Sequence, residues 1–155
     1  MKKLLLATLA ATATLASLPA AAQFQKPEDA IKYRQSAFTV MGAHFGRIGA
    51  MANGRVPFDA KAVTDNMVIV NDMARLPFTA FGAGTDKGMP NRAKAEIWSD
   101  GAKFKAASDK MLAEIAKLDA AAKGGNQDAI KAAVGAVGGT CKGCHDDFRA
   151  EKYSQ

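Results

Sequence analysis

Cysteine, histidine and tryptophan are scarce in this 155-residue chain, which holds two, two and one of them. Two cysteines, at positions 141 and 144, exclude a disulfide scaffold and a four-thiolate zinc site. No block of like charge is present. The 21 basic and 15 acidic residues interleave, so a net charge of +6 and a sequence pI near 9.4 describe a solvated surface, and no nucleic-acid partner is expected. Modest net charge with ordinary hydrophobicity excludes a disordered chain. Windows of β-branched alternation are missing too, which argues against a sheet. The length suits one domain.

The first 22 residues differ from the rest. Lys2 and Lys3 precede an Ala/Leu/Thr stretch from Leu4 to Leu18, and Ala20-Ala21-Ala22 closes it. A positive region, a mildly apolar core and small residues at a cleavage point predict a signal peptide over 1–22, with a mature domain over 23–155. The stretch is too short and too mildly apolar for a good membrane anchor, the alternative reading. No later apolar run is long enough to span a bilayer, so no membrane insertion of the mature protein is expected.

The mature chain reads as four helices. Helix A opens at Pro27-Glu28-Asp29, where proline suits the first turn and the acids suit the positive end of the helix dipole. Its expected seam is Ile31, Gln35, Phe38, Gly42, Phe45 and Gly49, in steps of four and three, and Asn53-Gly54 closes it. Helix B follows an N-cap at Asp59, with Val63, Met67, Val70 and Ala74 on one face, and stops at Leu76-Pro77. Residues 77–92 form the one long loop. Helix C carries Ile97, Gly101, Phe104, Ser108, Met111, Ile115, Leu118 and Ala122, and ends at Gly124-Gly125. Helix D, capped by Asn126, carries Ile130, Val134, Val137, Cys141, Cys144 and Phe148. Four such stripes with short A–B and C–D links predict an all-α fold, an antiparallel four-helix bundle.

The chemistry lies in Cys141-Lys142-Gly143-Cys144-His145, a C-x-x-C-H motif that signals covalent c-type haem attachment. On a helix, Cys141 and Cys144 stand at i and i+3 and project from one face, so both sulfurs can form thioethers with one porphyrin edge. His145 points to the same side as an axial ligand for the iron. A thioredoxin-like C-x-x-C belongs after a strand at a helix start, not near the end of a helical chain. A disulfide across so short a loop would constrain almost nothing. The export signal agrees with haem attachment, because bacterial c-type haem is attached after translocation.

Ten residues follow His145, without a methionine or histidine among them. Any sixth iron ligand must therefore come from upstream, most naturally from helix A. There the seam presents Phe38, which is not a ligand, and Met41 lies one step off it. His44 reads as a surface or interface histidine, and the other methionines as core filler or loop residues. The expectation is five strong ligands and an apolar distal side. A low-spin electron-transfer haem with Met41 as sixth ligand is the alternative, and peroxidase chemistry is weaker still, since no distal His–Arg pair adjoins Phe38.

These residues, with Gln23-Phe24, Lys26 to Ala30, Lys32 to Ala37, His44 to Arg47, Phe81-Gly82, Glu96 to Trp98 and Phe148-Arg149, resemble cytochrome c′, the four-helix class II c-type cytochromes. The resemblance spans almost the whole mature chain. It implies one covalent haem c per chain, a pentacoordinate iron that binds NO and CO and disfavours O₂, a periplasmic location, a homodimer through helices A and B, possible redox partner proteins, and no enzymatic activity. By resemblance, Cys141 and Cys144 are the thioether positions and His145 the proximal ligand. Phe38 is the bulky residue crowding the distal face, Arg34 and Gln35 meet the haem propionates and pocket edge, Phe81 belongs to the pocket, and Arg149 stands beside the proximal histidine. Position 78 is Phe where close relatives can carry Trp. Elementary chemistry agrees in part: a propionate needs a permanent planar cation, and Arg34 is one turn from Phe38. An exposed i,i+4 charge is the other reading of Arg34, and a cation favoured by the helix dipole the other reading of Arg149.

Overall fold

The computed structural model describes residues 23–153, so the segment read as a signal peptide lies outside the described residues. Helix α1 spans Pro27–Ala52, with proline in its first turn beside Glu28 and Asp29. It ends where the Asn53 amide, backbone and side chain alike, donates to the Gly49 carbonyl at 3.1 and 2.8 Å, and Gly54 turns the chain at φ +69°. Helix α2 spans Ala60–Ala74, capped by the Asp59 carboxylate, which accepts from the Ala62 N–H at 3.0 Å. The chain does not simply stop at Leu76-Pro77. Proline at the start of a turn is compatible with continued helical winding, and a 3-10 helix runs over Leu76–Ala80.

The expected helix C is divided. A single turn, α3, covers Glu96–Ser99, and α4 covers Gly101–Gly124. Asp100 separates them, leaving helical geometry at φ −126° and ψ 60°, and its carboxylate accepts from the Lys103 N–H at 3.1 Å. The Ile97-to-Phe104 stripe crosses this break because an N-cap aspartate does not interrupt apolar spacing. Gly125, at φ +68°, ends α4 as the left-handed residue that a helix C-terminus favours. Helix α5 then spans Gln127–Phe148, capped by Asn126, whose side-chain oxygen accepts from the Ala129 N–H at 2.9 Å.

The four long helices pack as a ring: α1 on α2, α2 on α4, α4 on α5, and α5 on α1. Ile48, Val63, Met67, Val70, Leu118 and Ile130 are among the fully buried side chains of an aliphatic and thioether core. The buried arc of α1 is wider than the expected seam. Ile31 and Gly49 are buried as expected, but Gly42 is exposed, and Arg34, Ala37, Met41 and Ile48 are buried as well. The reason is that α1 meets α2, α5 and the 3-10 helix at once, and three neighbours cover more than one stripe.

At the other end of the bundle the core becomes aromatic. Phe78 packs edge-on to Phe38 at 5.6 Å between ring centroids and lies 5.8 Å from Phe104, which in turn meets Phe81 at 4.9 Å and Phe148 at 5.2 Å. The connection after the 3-10 helix is tied to the end of α5: the Lys94 N–H donates to Phe148 O at 3.0 Å and the Ala150 N–H to Arg92 O at 2.8 Å. Helix α5 contains Gly135, Gly138, Gly139 and Gly143, and at none of them would an added Cβ meet another atom within 4 Å. No described helix is long and apolar enough to cross a membrane.

Candidate functional site

The attachment motif occupies the last full turns of α5, next to the aromatic end of the core. Cys141 and Cys144 are free thiols, half-buried, and Cys141 packs against the core. Burial pushes both thiols up from their ordinary value, Cys144 further assisted by Cys141 and Asp147. Neither is therefore an activated thiolate of the redox or nucleophilic kind. His145 faces outward beside Arg92, Lys94, Asp146 and Arg149. Partial desolvation, with Arg149 and Arg92, holds its imidazole below the usual histidine range, Asp146 opposing. The neutral ring, the form that can ligate a metal, is therefore favoured.

Opposite α5, the half-buried Phe38 packs onto the core, with Phe78 at its edge. Gln35 is one turn away and donates from Nε2 to Pro90 O at 3.4 Å. His44 is not a loose surface group: its Nδ1 lies 2.8 Å from Asn66 Oδ1, joining α1 to α2. Met41, 8% exposed, belongs to the core cluster with Met67 and Ile48. Phe104, read from sequence only as one member of a stripe, is the hub of the aromatic group, in ring contact with Phe78, Phe81 and Phe148. Stripe spacing marks burial, but says nothing of which buried ring faces the others.

Arg34 is 3% exposed, which overturns its reading as an exposed i,i+4 charge. Its Nη1 donates to Ala80 O at 2.9 Å and Thr85 Oγ1 at 3.0 Å, and its Nη2 to Thr85 O at 2.9 Å. The guanidinium also stacks 4.4 Å above Phe81 and 5.7 Å from Trp98. Among the described residues it makes no salt bridge. Burial lowers its pKa to about 10, against the pull of Asp86. A buried cation with three occupied donors, two spare N–H groups and no ion-pair partner is chemically suited to an added carboxylate. Arg34→Ala is expected to destabilise the fold by about 2–4 kcal/mol, because it strands buried carbonyls and empties the space over Phe81. Urea unfolding of the haem-loaded protein reads this directly.

Arg149 is exposed at the end of α5, with its N–H donated to His145 O at 3.0 Å. It therefore stands beside the histidine without entering the core.

The family described as Cytochrome C' matches residues 29–149. Cytochrome c′ of Rubrivivax gelatinosus is 60% identical over 127 residues, covering 82% of this chain and 98% of that protein. Its crystal structure matches with a TM-score of 0.80 over 82% of this chain and 99% of that one. Cytochrome c′ of Alcaligenes xylosoxydans xylosoxydans is 47% identical over 130 residues, covering 84% of this chain and all of that protein. A nitric oxide complex of a mutant of cytochrome c prime from Alcaligenes xylosoxidans is 46% identical with a TM-score of 0.79, over 84% of this chain and 100% of that chain. Members of the family carry one covalently bound c-type haem per chain. The match runs from the first turn of α1 to the end of α5, through the attachment turn and the aromatic wall alike, and the chain belongs to the cytochrome c′ family.

Proposed function

We propose that this is a periplasmic monohaem cytochrome in which His145 is the one protein ligand to the iron, and in which NO and CO bind in an apolar distal cleft. The observation that carries this reading is that Cys141, on the turn that also bears Cys144 and His145, and Phe38, on α1, pack against the same core. Cys141 and Cys144 would hold the haem covalently. Arg34 would offer its spare donors to a propionate, with Gln35 at the pocket edge and Phe81 in the wall. Arg149 would flank the proximal side. When bound, the haem supplies an iron that takes a diatomic gas and changes oxidation state, so electron transfer to a partner protein is a second capacity of the same site. Binding and electron carriage, not enzymatic turnover, are its work. The nitric oxide complex of the Alcaligenes relative supports the choice of ligand.

An optical spectrum of the purified holoprotein tests the ligation. A high-spin spectrum is expected, and a low-spin one would establish Met41 or another side chain as a sixth ligand. Packing of the Met41 side chain among Ile48 and Met67 favours the first outcome.

Location rests on the sequence. Lys2, Lys3, the Leu4-to-Leu18 stretch and the alanines before Gln23 read as a cleavable export signal, leaving 23–155 as the mature haem domain. Assembly as a homodimer through α1 and α2 is supported by Val40 and Val68, 40% and 54% exposed on those helices. Light scattering at micromolar concentration should give twice the monomer mass; the monomer mass alone would refute it.

A further inference from the structure

The 3-10 helix Leu76–Ala80 carries Phe78, and Phe81 follows it directly, so this short segment supplies two of the rings packed around Phe104 and Phe38. Helical winding of this kind holds poorly by itself beyond one turn. The fixing contacts come from elsewhere. The Arg34 Nη1 donates to Ala80 O, the last carbonyl of the segment, and also to Thr85 Oγ1. The Thr85 hydroxyl accepts that bond and donates its own proton back into the turn, 2.8 Å from Gly82 O and 3.4 Å from Ala80 O. Trp98 Nε1 donates to the same Gly82 O at 3.0 Å. Among the described residues, Thr85 is thus the one side chain that links the buried guanidinium of α1 to the backbone at both Ala80 and Gly82.

Resting on the gas-binding reading above, we propose that Thr85 is a positioning residue: its hydroxyl, held by Arg34, latches the segment bearing Phe78 and Phe81 and so limits how readily the distal wall yields to an entering gas. The hydroxyl works through the carbonyls of Ala80 and Gly82, which fix the backbone on either side of Phe81. Thr85→Val keeps the side-chain shape but cannot accept from Arg34 or donate to Gly82 O. Thr85→Ser keeps both bonds. Thr79→Val, in the same 3-10 helix, removes only an exposed local bond to Leu76 O at 2.8 Å and serves as the control.

The experiment uses the haem-loaded protein with two readouts. Amide hydrogen exchange over residues 76–93 is expected to rise about tenfold or more in Thr85→Val, which loses the hydroxyl's bonds to Arg34 and Gly82 O but keeps the Arg34 Nη2 bond to the Thr85 carbonyl. Exchange in the core of α2 and α4 should stay at the wild-type level. CO association by flash photolysis should quicken severalfold in the same variant, with Thr85→Ser and Thr79→Val close to wild type. Exchange unchanged within twofold overturns the latch. Faster exchange with unchanged CO association overturns its role in gas entry. A wild-type protein that takes up no CO at all removes the gas-binding reading, and with it the functional half of the proposal, while the exchange readout still decides whether the latch exists.

Discussion

Replacing both Cys141 and Cys144 by serine should leave the exported chain with no haem that survives acid–acetone extraction, whereas the wild-type polypeptide keeps its colour. The two thiols are free, half-buried and one helical turn apart on α5, and no other cysteine exists to substitute for either. Each single variant retains one attachment point and should hold part of its haem through extraction. His145→Ala separates anchoring from ligation: haem should stay on the polypeptide, but its visible spectrum should change because the imidazole is gone. Colour that extracts freely from wild-type protein would show that no thioether forms. The effect of the double variant is expected to be all-or-none, since a covalent bond is replaced by contacts worth a few kcal/mol.

Phe38→Ala should raise the CO association rate by more than tenfold. Its ring packs on the core, edge-on to Phe78 at 5.6 Å. Gas that enters must move this ring or its neighbour, and packing resists that. Removing a fully buried phenylalanine costs about 3–5 kcal/mol, but Phe38 is only half-buried, so a loss near 2 kcal/mol is expected here. Phe38→Leu should fall between the two in both rate and stability. Flash photolysis decides the kinetic part: a rate within twofold of wild type would make Phe38 core filler and shift the gate to Phe78. The same apolar surroundings predict weak O₂ binding relative to NO, because bound O₂ gains most from a polar distal donor.

The residues differ in how openly their roles show in sequence. Cys141, Cys144 and His145 were legible because their chemistry is set by spacing along one helix, and no tertiary information is needed. The caps Asp59 and Asn126 were legible for the same local reason. Arg34 was harder. Its place near the pocket followed from resemblance, but its burial and its bonds to Ala80 and Thr85 join segments 46 and 51 residues apart, which no window along the chain reveals. Met41 was read as lying one step off the seam, yet it is buried, since a stripe records one contact face and α1 has three neighbours. Phe104 as hub of the aromatic wall depends on how α4 meets the 3-10 helix, and that helix itself was read as loop.

The glycines of α5 bear on what holds that helix. Four of them lie within a 22-residue helix, three at 135, 138 and 139 before the attachment turn and one at 143 inside it. Relative to alanine, each weakens a helix by about 0.8–1.0 kcal/mol, so α5 gives up roughly 3–4 kcal/mol of intrinsic preference. A segment with so little propensity of its own depends on its packing against α4 and α1 to stay helical. Haem linked to both Cys141 and Cys144 would hold across one turn what local preference does not, so the same bonds that anchor the cofactor would also brace the last helix.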